Sequence, residues 1–137
     1  MPGENPLPID CQVDFQQDIV AMFNIGTTLT DAYVYFCERE TVVDFACVAA
    51  TVGDTDCNFT LRHCAVAADG SITAVDSGTA FTNELAVFES ADVPNKQEFT
   101  ITPTANVIPA NSYIALSGDA ASSSAGVLQL RLRTKRR

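Results

Sequence analysis

The sequence predicts an all-β domain, a sandwich or a barrel, and three observations support this fold class. Apolar and polar residues alternate with a period of two along almost the whole chain, which is typical of half-buried strands. Gly, Pro, Asn and Asp cluster between about eight such segments, at intervals of roughly ten residues, where turns are needed. With 137 residues and 47% apolar content, the chain has the length of one domain with a substantial core.

The first residues predict an extended arm. Their sequence, MPGENPLPID, contains Pro2, Pro6 and Pro8, which exclude a central strand and favour a semi-rigid, extended segment. Such an arm either frays, as chain termini commonly do, or lies on a neighbouring molecule. The three prolines are therefore candidates for an intermolecular contact.

The segment 13–23, VDFQQDIVAMF, has two possible interpretations. Its apolar residues fit one face of a helix, but they also fit the alternation of a strand that is broken only at Gln17. Because the rest of the chain alternates, we predict a strand.

Residues 42–66 predict a hairpin that follows a first strand at 33–37. A β-branched, apolar run is joined by the turn sequence GDTD to the alternating segment CNFTLRHC. In the simplest register Val48 lies opposite Leu61. Cys47 and Cys64 then share the outer face diagonally, which makes them the only plausible disulfide pair.

Further strands are predicted after the hairpin, each separated from the next by turn residues. They occupy the segments ADGSITAV, ELAVFE, QEFTITP, SYIALSG and GVLQLRLRT.

The last ten residues, LQLRLRTKRR, are cationic on an otherwise acidic chain. Five of the eight Lys and Arg fall in the last seven positions, and the rest of the chain has three cations against seventeen carboxylates. The leucines at 128, 130 and 132 should point into the sandwich, so the alternating cations project outward and a mobile end follows from Thr134. The alternative is a solvated tail that only aids solubility. The interface candidates of this segment are Arg131, Arg133, Lys135, Arg136 and Arg137.

The five cysteines predict free thiols rather than a metal site. Their number is odd, and no two are spaced as C-x-x-C, which a structural zinc site would normally show. We expect buried thiols in a reducing compartment, at least three of them free.

Charge and hydropathy limit the partners. A net charge of −9 repels phosphates over most of the surface, so no nucleic-acid partner is predicted for the body of the chain. No apolar run is long enough for a membrane span, and the N-terminus lacks the features of an export signal. We therefore expect a soluble protein that is made in the cytosol.

No catalytic, cofactor or metal site is predicted, and we expect that the protein is not an enzyme. The single histidine, His63, alternates with Phe59 and Leu61, which indicates a core or subunit-interface residue rather than a general base. Asp54 and Asp56 are two apart, but the glycine and the distal glutamate of a calcium loop are missing. The nucleophile, phosphate-loop and zinc-protease motifs are also missing.

The run from Tyr33 to Arg133 carries a resemblance to a known family. It contains YVYFCERETVVDFACVAATVG, DTDCNFTLRHC, ADGSITA, TPTANVIPANSYIALSGD and AASSSAG followed by VLQLRLR. In these segments the chain resembles small jelly-roll proteins of tailed bacteriophages, many of which are capsid decoration, or cement, proteins. It departs from their pattern at Asn111-Ser112, where Gly-Asp is frequent, and in the basic tail.

The resemblance implies a single jelly-roll-like antiparallel β-sandwich with an extended N-terminal arm. Residues 1–28 would be the arm and lead-in segment, 29–134 the sandwich and 135–137 the basic tail. It also implies a structural virion protein, made in the host cytoplasm, that binds the outside of an icosahedral capsid and reinforces or decorates it.

The implied partners are the major capsid protein and copies of the chain itself, as a homotrimer. The alternative is another virion subunit, such as a tail-fibre or receptor-binding module, against which the small, polar loops argue.

Overall fold

The computed structural model describes residues 15–25, 31–53, 58–85, 94–119 and 126–136. Within these ranges the chain forms strands and one short 3-10 turn at Val75–Ser77, and no helix is long and apolar enough to cross a membrane. The strands are β1 (Phe15–Ile25), β2 (Ala32–Cys37), β3 (Thr41–Gly53), β4 (Asn58–Ala65), β5 (Thr79–Ala80), β6 (Asn95–Glu98), β7 (Val107–Ile108), β8 (Ser112–Asp119) and β9 (Gly126–Arg136).

The strands form two antiparallel sheets that pack into a sandwich. Sheet A has the order β1-β9-β3-β6, and the short β7 also pairs with β3; sheet B has the order β2-β8-β4-β5. The chain crosses from one sheet to the other between β1 and β2, β2 and β3, β3 and β4, β5 and β6, and again on either side of β8. Repeated crossings between a five-stranded and a four-stranded antiparallel layer are typical of a jelly-roll-like sandwich, so the predicted fold class is confirmed.

Segment 13–23, whose secondary structure was ambiguous, is a strand from Phe15 onward. β1 pairs with β9 along its whole length, from Phe15 opposite Arg136 to Ile25 opposite Gly126. Residues 15–25 therefore belong to the sandwich, as do residues 135 and 136. The sandwich thus begins before the predicted boundary at 28/29, at Phe15, and continues past the predicted boundary at 134/135 to Arg136.

The predicted hairpin at 42–66 is wrong. β3 pairs with β9 in sheet A, whereas β4 pairs with β8 in sheet B, so Val48 and Leu61 face each other through the core instead of lying side by side. Alternation predicts that one face of each strand is buried, but it does not identify the neighbouring strand.

The predicted disulfide is also wrong, for the same reason. Cys47 lies on the outer face of sheet A and Cys64 on the outer face of sheet B, with the sandwich between them. Both are free and buried, as is Cys37, which agrees with the prediction of at least three free thiols. Cys11 and Cys57 lie outside the described residues.

The core lies between the sheets and is fully apolar at its centre. Phe59, Leu61 and Phe81 are completely buried there, as are the three leucines of β9. Burying a large apolar side chain stabilises the fold by about 1.5–3 kcal/mol. The inward-facing positions of β3, β4, β8 and β9 thus carry most of the stability.

A smaller apolar cluster lies on the outer face of sheet B. Residues 66–80 fold back over that face, and Val75 packs there on Cys64 and Ala115. Gly78 approaches β4 closely, and its carbonyl accepts a hydrogen bond from Arg62 Nη1 at 3.0 Å. This segment replaces much of the regular strand predicted in ADGSITAV, of which an isolated bridge between Val66 and Ile72 remains.

Of the two predicted strands that follow, the first is described only at its beginning and the second is shorter than expected. In ELAVFE, Leu85 forms a bridge with Phe59 and the later residues lie outside the described ones. In QEFTITP the strand ends at Glu98, and beyond it Ile101 forms an isolated bridge with Thr82.

Candidate interaction surface

The cations predicted as contacts lie on or directly after β9, between β1 and β3 in sheet A. Leu128, Leu130 and Leu132 of this strand are fully buried. Alternate positions of a strand face opposite sides of its sheet. Arg131 and Arg133 accordingly lie on the outer face of sheet A, as predicted.

Arg133 is engaged within the protomer. Its Nε donates a hydrogen bond to Asp44 Oδ1 at 2.9 Å, and its guanidinium lies 5.5 Å from the centre of the Phe45 ring. An irregularity in β3 between Val43 and Phe45 adds one residue to that strand and brings Asp44 to this position. The hydrogen bond and the charge of Asp44 raise the pKa of Arg133. Arg133 is therefore less available to a partner than the sequence predicts.

Arg131 has a different environment, because it is exposed between two apolar neighbours. Val20 lies opposite it on β1 and Cys47 on β3. Among the described residues it has no ion-pair partner. Arg131 thus remains available for an intermolecular contact.

The mobile end predicted from Thr134 onward is wrong. Thr134 is buried, and its hydroxyl donates a hydrogen bond to the Gln17 carbonyl at 3.2 Å. Lys135 and Arg136 continue β9 and are half-buried. Four further interface candidates lie outside the described residues: Arg137, Pro2, Pro6 and Pro8.

β1 places two apolar side chains on the outside of sheet A. Ile19 and Phe23 pack against the core, so the alternate residues Val20 and Met22 face outward, where they are 49% and 62% exposed. β1 is an edge strand. The exposed apolar surface therefore extends to the border of the sheet.

An aromatic cluster on β2 and β8 is the feature that sequence reasoning missed. The Tyr113 ring centre lies 5.4 Å from that of Tyr33 and 5.1 Å from that of Phe36. Tyr33 and Phe36 are 41% and 37% exposed. Strict alternation would place these two on opposite faces, but a register shift between Tyr33 and Tyr35 brings both to the outside of sheet B. The signal was the aromatic content of YVYF, which was interpreted only as a strand.

Two acidic side chains, Asp31 and Asp76, lie near this cluster. Loss of hydration is the largest cause that raises the pKa of Tyr33, and the nearby charges of Asp31 and Asp76 raise it further. The Tyr33 hydroxyl donates a hydrogen bond to the Thr73 carbonyl at 2.8 Å. The segment 66–80 is thereby attached to the edge of sheet B, and it contributes Asp76 to the same surface.

His63 lies where the sequence places it, on the inner side of β4. Its ring stacks on Phe81 with 6.2 Å between centres, and it borders a cleft of about 410 Å³ at one end of the sandwich. Burial lowers the pKa of His63, so the imidazole is neutral at pH 7. The other side chains that line the cleft are small or uncharged, including Thr73 and Asn111.

Comparison with known proteins identifies the fold. No known family profile matches the sequence, and no curated protein is significantly similar to it. A chain of the cyanophage Pam1 capsid asymmetric unit matches with a TM-score of 0.55 and 12% identity, over 98% of this chain and 94% of that one. A chain of the acid-stable capsid structure of Helicobacter pylori bacteriophage KHP30 matches with a TM-score of 0.52 and 8% identity, over 88% and 93%. At such identities the similarity establishes a shared fold.

Proposed function

We propose that the protein is a structural virion protein that binds the outside of an icosahedral phage capsid and reinforces or decorates it. The observation that carries this proposal is the similarity to chains from two phage capsid structures. In each comparison the similarity extends over most of this chain and most of the other chain. Such mutual coverage means that the similar chains are also small and consist of little more than one jelly roll. The proposed location is the capsid surface of the virion, after synthesis in the host cytoplasm.

The proposed partners are the major capsid protein and further copies of this chain in a homotrimer. Contacts made by exposed charges are individually weak because solvent and salt screen them. On a repeating lattice, however, many such contacts act together and give firm attachment. The end of the chain is cationic, whereas the rest of the protein has an excess of carboxylates.

The proposal assigns no catalytic role. A neutral His63 stacked on an aromatic ring is suited to packing, and its pKa is lowered by burial without a neighbouring carboxylate as a cause. A histidine that acts as a general base is usually oriented by a neighbouring carboxylate, which also adjusts its pKa.

The test is an attachment assay on phage particles that lack the protein. Purified protein should bind their outer surface with regular spacing in cryo-electron micrographs, and its occupancy should fall as salt rises. Density inside the shell, or no density at all at low salt, would contradict the proposal.

Two variants test the role of the basic end in attachment. Replacing Lys135, Arg136 and Arg137 together with Ser should lower the occupancy at intermediate salt. Lys96→Ser, which removes an exposed cation from β6 at the opposite edge of sheet A, is the control and should leave the occupancy unchanged. Thermal melts of both variants separate loss of attachment from loss of folding, because residues 135 and 136 lie on β9.

One observation favours the second candidate, a tail-fibre or receptor-binding module. The exposed cluster of Tyr33, Phe36 and Tyr113 offers aromatic surface of the kind that binding sites for glycans and proteins use. Gold-labelled antibodies on intact particles distinguish the two functions, because they would mark the tail or its fibres in one case and the shell in the other.

A further inference from the structure

The exposed apolar side chains of the protein are concentrated on one edge of the sandwich. Of the five large apolar side chains exposed among the described residues, four belong to β1 or β2: Val20, Met22, Tyr33 and Phe36. β1 borders sheet A and β2 borders sheet B. A hydrogen bond of 3.5 Å from the Tyr35 hydroxyl to Gln17 Oε1 places the two strands over each other on the same side. We call this side the β1/β2 edge.

The opposite edge is built differently. It consists of β5, with two residues, and β6, with four, and the latter exposes Lys96 and Glu98. Short strands and charged side chains are the means by which proteins prevent unwanted pairing at a sheet border. The β1/β2 edge has strands of eleven and six residues, and no other described strand pairs with their free sides. It therefore has the character of a surface that is covered in the assembled protein.

The two sides of this edge have opposite charge. On sheet A, the cationic flank consists of Val20, Met22 and Arg131. On sheet B, the acidic flank consists of Tyr33, Phe36, Tyr113, Asp31 and Asp76. Asp18 also lies on the outer face of sheet A, opposite Arg133, but the three cations Arg131, Arg133 and Lys135 of β9 outnumber Asp18 and Asp44 there. The sheet A flank therefore has a positive balance and the sheet B flank carries carboxylates, so the flanks are complementary to each other but not to themselves.

We propose that the β1/β2 edge is the contact between copies of this chain, with the cationic flank of one copy packed against the acidic flank of the next. When the same pair of unlike surfaces is used repeatedly about an axis, the contact is heterologous and closes into a ring. Because the flanks meet at one edge, that edge points toward the axis. The inference rests on the homotrimer of the proposed function and names its interface.

The chemistry of the two flanks fits such a contact. Arg131 would meet the carboxylates of Asp31 and Asp76 and the faces of tyrosine rings, to which guanidinium groups bind well. The Met22 thioether would pack against aromatic rings, a favourable contact for sulfur. Tyr, Phe, Met and Arg are also the residue types enriched at the centres of protein interfaces.

Sedimentation velocity of purified variants tests the arrangement. The parent protein should sediment at three times the chain mass of 14.6 kDa. Met22→Glu, on the cationic flank, and Phe36→Lys, on the acidic flank, each place a charge opposite charges of the same sign and should sediment as monomers. Asn95→Glu and Asn95→Lys add the same charges to the opposite edge and should remain trimers, while near-UV circular dichroism confirms that all four variants are folded.

A mixture of the two monomeric variants gives the deciding result. Met22→Glu retains an intact acidic flank and Phe36→Lys an intact cationic flank, so one good contact can form between them and no third subunit can add. The mixture should therefore yield a species of twice the chain mass that neither variant forms alone. If both variants stay trimeric, or if the mixture stays monomeric, the interface is elsewhere or is symmetric and the inference is overturned.

The attachment assay separates this inference from the proposed function. A parent protein that is monomeric at every concentration but still decorates particles would overturn the interface and leave the function intact. If Met22→Glu then abolished attachment, the shell protein and not a second copy would cover the edge.

Discussion

Replacing Gly78 with alanine should destabilise the protein through crowding rather than through backbone strain. Gly78 has a φ of −72°, which any residue can adopt. A Cβ atom at this position would lie 2.7 Å from Cys64 Sγ, 2.9 Å from the His63 carbonyl oxygen and 3.2 Å from Arg62 Cβ. All three neighbours belong to β4, on which the segment 66–80 rests.

The magnitude follows from these distances. Nonbonded carbon contacts are most favourable at about 3.5–4.0 Å, so the segment must move outward by about 1 Å. The His63 carbonyl cannot yield, because β4 is held between β8 and β5. Overpacking of this kind typically costs about 1–3 kcal/mol, and we expect a loss of about 2 kcal/mol in the free energy of unfolding for Gly78→Ala.

Urea unfolding of four proteins measures this effect: the parent, Gly78→Ala, Cys64→Ala and the double variant. Removing Sγ relieves the shortest contact but leaves the His63 carbonyl, so the double variant should lose less stability than the two single variants together. Gly70→Ala is the control. Gly70 has open space around it and a φ of +88°, so its cost of about 1 kcal/mol should not depend on Cys64. A Gly78→Ala protein within about 0.5 kcal/mol of the parent would refute the crowding argument.

Three further outcomes are expected. The three buried cysteines, Cys37, Cys47 and Cys64, should react with iodoacetamide only after unfolding, because burial both shields them and raises their pKa; rapid labelling of any of these three in the native protein, located by peptide mass spectrometry, would contradict their placement. In a double-mutant cycle, Arg133 and Asp44 should show favourable coupling that 1 M salt abolishes, and coupling that resists salt would contradict a solvent-screened pair. The lowered pKa of His63 means that the unfolded chain binds its proton more readily than the folded protein does. Stability should therefore fall as the pH drops below the ordinary histidine value of about 6.5, and His63→Gln should show a smaller fall, as measured by urea unfolding at several pH values.

The inward-facing pattern was readable from the sequence because burial imposes a period of two. Leu128, Leu130 and Leu132 are buried as predicted, and Arg131 projects from the other face. The same pattern placed His63 correctly beside the core. Alternation indicates the face on which each side chain lies, and it is sufficient where a strand has no register shift.

Pairing between strands was not readable, because it depends on residues far away in the chain. The turn after β3 resembles a hairpin turn, yet β3 pairs with β9 and β4 with β8. The aromatic cluster was missed for a related reason, since one register shift in β2 turns Phe36 to the outside. Arg133 was predicted as an outward contact, but the irregularity in β3 that brings Asp44 to it has no signature in the sequence.

The position of β9 has a consequence for how the chain folds. β9 lies between β1 and β3 in sheet A, although it is the last of the described strands to be synthesised. Until it is available, β1 has no described neighbour in its sheet, and β3 lacks the strand with which it forms its longest pairing. Closing such distant pairings is slow, and during that interval unpaired apolar strands promote aggregation. Ribosomes stalled before β9 should therefore carry protease-sensitive chains, and folding should begin in sheet B, where β4 and β8 can pair without it.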